Sequence, residues 1–173
     1  MTIALPFSEI VRINEIGAGC DRRLQPDDAA RARIARTLDL ASLDAFEAEL
    51  SLMPAREGWR LSGRVVASAV QTCGITLEPL PVEIDERFSV ALVEAVEPIE
   101  ADEIDVAVDD DAPDLIEDGR IDLGQYAVEQ LALTLDPFPR KPGAEFVQPE
   151  EPAEISPFAV LKAFRPAEDP DKG

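Results

Sequence analysis

Apolar residues recur along this chain with two different periods. Between residues 42 and 94 the period is two. In "LDAFEAELSLMP", Phe46, Ala48, Leu50 and Leu52 alternate with Ala45, Glu47, Glu49 and Ser51, the pattern of a strand with one face buried. "AREG" reads as a turn, and "WRLSGRVVASAV" resumes the alternation with Trp59, Leu61, Gly63 and Val65 on one side. Pro79 and Pro81 bracket Leu80 before "VEIDERFSVALVEA", a third alternating run. Three strands joined by short turns predict an antiparallel meander.

Either side of the meander the period lengthens to that of a helix. Pro26, Asp27 and Asp28 open the first helix, with proline in the opening turn and acids on the positive end of the dipole. Ala30, Ile34 and Leu38 then recur at helical spacing, while Arg31, Arg33 and Arg36 fall on the exposed face. A second helix starts in "IDLGQYAVEQLALTLDPFPRKPG". Asp122 is its N-cap, with Gln125 three residues on as in a capping box. Leu123, Ala127, Leu131 and Leu135 form its apolar stripe, and Pro137 and Pro139 end it. Ahead of all this, "PFSEIVRINEI" reads as a strand closed by the loop "GAGCDRR". The fold expected is α+β, an antiparallel β meander flanked by helices near 26–38 and 122–135, with an acidic loop and a proline-rich C-terminal tail.

Two segments lack either period. Residues 97–119 are heavily charged with few aromatics and read as a flexible acidic loop, with a short strand at "IDVAV" as the one candidate element. Residues 144–173 read as a proline-rich acidic tail around one apolar segment within 156–164. Residues 1–143 are then the single domain. Four large apolar side chains crowd that tail segment, Phe158, Val160, Leu161 and Phe164, and Pro157 suits a first helical turn. It is expected to dock, either on this domain or on a partner.

Charge changes the picture more than composition does. The chain carries 16 Lys plus Arg against 36 Asp plus Glu, a net charge of −20. Residues 1–69 hold 9 Arg and 10 acids, netting −1, so residues 70–173 net −19. Such a half repels nucleic acid and anionic membrane and attracts basic partners. Solubility alone is the plainer reading of the same acidity. The arginines that offer any RNA contact are Arg31, Arg33 and Arg36, with Arg22 and Arg23. "MTIALPFSEIVRI", broken by Pro6, Glu9 and Arg12, makes no basic-then-apolar leader, and no apolar run approaches the roughly 20 residues of a membrane span. A soluble, cytoplasmic protein is expected.

Candidate chemistry is thin. There is no histidine, so the commonest general base and zinc ligand are both missing. Cys20 and Cys73 each stand alone, which argues against a zinc site and a disulfide framework alike. No GxxxxGK[ST] or GxGxxG sequence occurs. The acid clusters 102–105 and 109–111 lack the glycine and terminal glutamate of an EF-hand loop and read as solvated loop. No catalytic residue, metal ligand, cofactor or small-molecule substrate is expected. Cys73 sits at a corner, "TCGIT", where Gly74 is expected to permit a turn that a bulkier residue would strain.

The order of these segments resembles a known family. A strand ends at a cysteine corner in "VQTCGITLEPLPVEIDERFSV", where many relatives carry a C-x-x-C. An acidic stretch leads into "DGRIDLGQYAVEQLALTLDPFPRKPG", and "SPFAVLKAF" closes the chain. Over roughly residues 40–165 this is similar to the YceD family of large ribosomal RNA subunit accumulation proteins. The family's helix motif matches Gly119, Ile121, Asp122, Leu123 and Pro137, and its Asn-Pro-Phe-x-x-Leu matches Pro157, Phe158 and Leu161, with Ser156 for Asn. Phe164 extends that apolar set. At the corner Cys73 matches the first cysteine but Thr76 holds the second position, so a metal or redox role of a cysteine pair cannot operate here. The resemblance implies a non-enzymatic role in large-subunit rRNA accumulation and ribosome assembly. Together with the charge, it points to a basic ribosomal protein or assembly factor as partner. The alternatives are a generic acidic interaction module, or a small hydrolase with an unrecognised carboxylate site.

Overall fold

A computed structural model of the chain describes residues 5–95 and 112–146. The architecture is α+β. Strand β1 (Ile10–Arg12) runs into a short helix α1 (Ile13–Ile16), and β2 (Cys20–Leu24) into helix α2 (Asp28–Thr37). Three long strands follow, β3 (Ser42–Pro54), β4 (Trp59–Thr72) and β5 (Pro79–Glu94). Then come β6 (Asp114–Ile116), β7 (Arg120–Asp122) and helix α3 (Leu123–Thr134). The main sheet has the order β2-β3-β4-β5-β6, and β1 pairs with β7 in a separate ribbon. All pairings are antiparallel except β5 with β6.

The meander stands where the period-two pattern put it. Phe46, Ala48, Leu50 and Leu52 of β3 and Leu61, Val65, Ala67 and Ala69 of β4 are buried on one face, and the residues between them point away. Helices α2 and α3 and the β1–β7 ribbon close that face through Ile34, Leu123, Ala127, Leu131, Val11 and Ile121. Gly63 has a packing reason: a Cβ there would lie 2.6 Å from Leu50 and 2.7 Å from Phe88, which meet over it. The tip of the β3–β4 hairpin needs Gly58, whose φ is +78° and whose Cβ would strike the Leu92 carbonyl oxygen.

The cap predicted at Asp122 is present, whereas at the first helix the cap is Asp27, so Pro26 stands ahead of the helix rather than in its first turn. The Asp27 carboxylate accepts from the Ala30 N–H at 2.8 Å, and Asp122 accepts from the Gln125 N–H at 3.1 Å. Gln125 does not complete a capping box, because its side-chain amide donates to Glu129 instead.

Three expectations need correction. The N-terminal run is not one strand: it is extended only over Ile10–Arg12 and turns helical at Ile13, whose N–H donates to the Gly119 carbonyl. "GAGCDRR" is not all loop, since Cys20–Leu24 pair with β3 as an edge strand. The expected acidic loop also ends early, because Asp114–Ile116 run parallel to β5. The "IDVAV" segment and the tail with Pro157, Phe158, Leu161 and Phe164 lie outside the described residues. No described helix is long and apolar enough to cross a membrane.

Candidate functional site

The cysteine corner is a clasp between distant parts of the chain. Cys73 is fully buried at the end of β4. Its Sγ accepts the Thr76 N–H at 3.4 Å and the Lys141 N–H at 3.3 Å. The Gly74 N–H donates to the Pro139 carbonyl at 2.9 Å, the Gln71 amide to the Asp136 carbonyl at 2.8 Å, and Lys141 Nζ to the Glu78 carboxylate at 2.9 Å. The segment after α3, with Pro137 at its start, is thereby fastened across the end of β4. Gly74 is not the strained residue of this corner. Its φ is not positive and a Cβ would meet nothing closer than 3.8 Å, whereas exposed Leu77 holds φ +60°. Thr76, in the second cysteine position, supports the sulfur rather than sharing a metal with it. Among the described residues no three His, Cys, Asp or Glu side chains converge as metal ligands.

These donors favour the thiolate. The hydroxyl and N–H of Thr76, and then the N–H of Lys141, pull the Cys73 thiol down from 9.0 to about 6. Because the folded-state value lies below the unfolded one, the thiolate's contribution to stability is fully present above about pH 9. It is lost as pH falls towards 6. The urea midpoint of the wild type, relative to a Cys73→Ser variant, should therefore rise between pH 6 and pH 9. A difference that stays flat across that range would show that the sulfur is neutral in the fold.

The helix motif is a second clasp. Gly119 has φ +63° and turns the chain into β7, where Ile121 pairs with Val11. Asp122 caps α3 and also accepts the Glu9 N–H at 2.8 Å and the Ser8 hydroxyl. The Leu123 N–H donates to the Glu9 carbonyl at 2.9 Å. Gly124 lets the N-terminal segment cross the helix start, since a Cβ there would be 2.7 Å from the Glu9 nitrogen. The motif thus holds residues 8–12 against α3.

The three α2 arginines do not converge. Arg31 is tied to the Pro26 carbonyl and to Asp28, Arg33 donates to the Pro6 carbonyl, and Arg36 to the Ala32 carbonyl. A groove of about 450 Å³ lies instead between β6, β7 and α3, lined by Asp114, Glu117, Asp122 and Glu129 with Arg120. Tyr126 at its edge donates to Asp114 at 3.0 Å, and burial together with that carboxylate holds its phenol well above the usual range. On the uncovered face of the main sheet the strand register sets Arg23, Glu49, Arg64 and Arg87 side by side. Sequence reasoning missed that row, because nothing short of the register brings residues so far apart in the chain together.

No curated protein matches this chain, and no solved structure matches it. The family model described as "large ribosomal RNA subunit accumulation protein YceD" matches residues 61–165. The match opens within β4 and takes in the cysteine corner, the helix motif and the segment fastened between them. It covers more than half of the chain, and the chain belongs to the YceD family of large ribosomal RNA subunit accumulation proteins.

Proposed function

We propose that the protein acts without catalysis in large-subunit rRNA accumulation, as an adaptor that engages a basic ribosomal protein or assembly factor through its acidic surface. The groove lined by Asp114, Glu117, Asp122 and Glu129 carries this reading. It opens where the most acidic part of the chain returns to the fold, and from Phe88 to Gly119 there is no Lys or Arg. Potentials of one sign steer an oppositely charged partner and raise its association rate. The two clasps give the surface a rigid base: one fixes the start of α3 and the other the segment beyond its end.

Deleting the gene should lower mature large-subunit rRNA relative to small-subunit rRNA. The purified full chain should retain a basic ribosomal protein or assembly factor from nuclease-treated lysate, and Glu117→Gln/Glu129→Gln should retain less. An unchanged subunit ratio in a clean deletion would sink the assembly role. Retention that vanishes on nuclease treatment would sink the protein-partner reading.

A further inference from the structure

Helices α2 and α3 end beside the same hollow. Leu38 closes α2 and Leu135 closes α3, and both line a groove of about 480 Å³. Ile75 of the cysteine corner, Ala132 and the stretch from Pro137 to Arg140 complete its apolar part. Phe138 is 75 % exposed, Ala132 is exposed, and Leu38, Ile75 and Leu135 are only half-buried. A contiguous apolar lining of this kind marks a surface that something covers.

The groove is also negative. Two carboxylates line it, Asp39 and Asp136, against one cation, Arg140. Asp136 accepts the Phe138 N–H at 2.8 Å, which fixes its carboxylate. Both helices present their C-terminal ends there, the negative poles of their dipoles.

One segment of the chain has the complementary character. From Ile155 to Ala167 there is no acid, and Lys162 and Arg165 give that stretch a charge of +2 within a chain of −20. It also carries Phe158, Val160, Leu161 and Phe164. Coiled as a helix, those four would fall within roughly 160° of its circumference, with Lys162 and Arg165 beside Phe158. The described chain stops at Phe146, six residues after Arg140 in the groove wall, and ten further residues lead to Pro157. Six residues cover at most roughly 20 Å and the eleven steps from Phe146 to Pro157 reach about 36 Å, so the segment can return to the groove. The family match over residues 61–165 takes in the groove from Gln71 onward together with the segment, and ends one residue past Phe164.

We propose that residues 157–164 dock in this groove of their own chain, apolar side down, with Lys162 and Arg165 answering Asp39 and Asp136. A segment tethered this closely meets its site at an effective concentration of roughly millimolar, which neither a free partner nor a second copy matches. The segment is then part of the domain rather than an arm held out to a partner, and it covers the clasp at Cys73.

The test uses the purified full chain with photoreactive p-benzoylphenylalanine in place of Phe158, a change that keeps the aromatic ring. Mixing with isotope-labelled copies lets mass spectrometry tell cross-links within a chain from those between chains. Cross-links within the chain to Leu38, to residues 71–75 or to residues 132–140 are expected. Ala132→Arg, at an exposed position of the groove, fills it and repels Lys162, and should lower their yield on the order of tenfold. In the otherwise native full chain, Phe158→Asp/Leu161→Asp should quicken amide exchange at Gly74 and Ile75 by about tenfold or more, while exchange in β3 stays slow. Cross-links between chains would assign the groove to a second copy and overturn the proposal. Cross-links within the chain to other surfaces only, or none at all, overturn it too. An undiminished yield in Ala132→Arg, or unchanged exchange at Gly74 and Ile75, does the same.

Discussion

Replacing Asp122 by alanine should lower the unfolding free energy by about 2–3 kcal/mol and release the N-terminal segment. An N-cap of this kind contributes about 1 kcal/mol. The same carboxylate also takes the Glu9 N–H at 2.8 Å and the Ser8 hydroxyl, and hydrogen bonds to an ionised group are worth about 1.5–3 kcal/mol before allowing for their exposure. With the carboxylate gone, α3 frays at its first turn and the Ser8–Arg12 stretch keeps its pairing with β7, the Leu123–Glu9 bond and the burial of Val11. Asp122→Asn keeps an acceptor for the cap and should cost less. Urea denaturation should show a lower midpoint with an unchanged slope, and hydrogen exchange at Ile10–Arg12 should quicken more than in β3–β5. A loss below about 1 kcal/mol with exchange unchanged would show that the ribbon alone anchors the segment.

A second large effect is expected at the far end of the same helix. Leu131 is 0 % exposed in the core beneath the sheet, and Leu133, two residues on, is 77 % exposed. Leu131→Ala should cost about 3–4 kcal/mol, from lost burial plus the cavity that packed neighbours cannot fill. Leu133→Ala should stay within about 0.5 kcal/mol. The Leu131 variant should also loosen the cysteine corner, because α3 delivers Pro139 and Lys141 to Gly74 and Cys73. Faster exchange at Gly74 would register that coupling. Equal costs for the two leucines would mean that α3 is not seated as described.

What could be read from the residues alone follows from how far their partners lie. The strands β3–β5 declare themselves because each alternates against its own sequence neighbour across a short turn. The Asp122 cap does so because its bond to Gln125 spans only three residues. The short N-terminal elements do not. Ile10–Ile16 is dense in β-branched residues and looks like one strand, yet its pairing is decided by Ile121 and Gly119, far along the chain. Cys20–Leu24 has no alternation at all and becomes a strand because the edge of β3 offers it a ladder. At the corner, a glycine invites the strained conformation, but the clasp to Pro139 fixes Gly74 in an ordinary one and leaves Leu77 to take the left-handed turn. The arginine row was hidden for the same reason. Arg23, Arg64 and Arg87 are unremarkable in sequence and become neighbours only through three registers at once.

The parallel pairing of β6 with β5 has a consequence in polymer terms. Asp114 lies beside Leu92, two residues back from the end of β5, so the connection between the strands begins and ends at nearly the same place. For a chain already closed on itself, each doubling of contour length adds only about 0.6 kcal/mol of closure entropy. The fold therefore sets where this insert is tethered and leaves its length almost free to drift. Acidic groups can be added or removed there one residue at a time while the sheet that carries them keeps its shape.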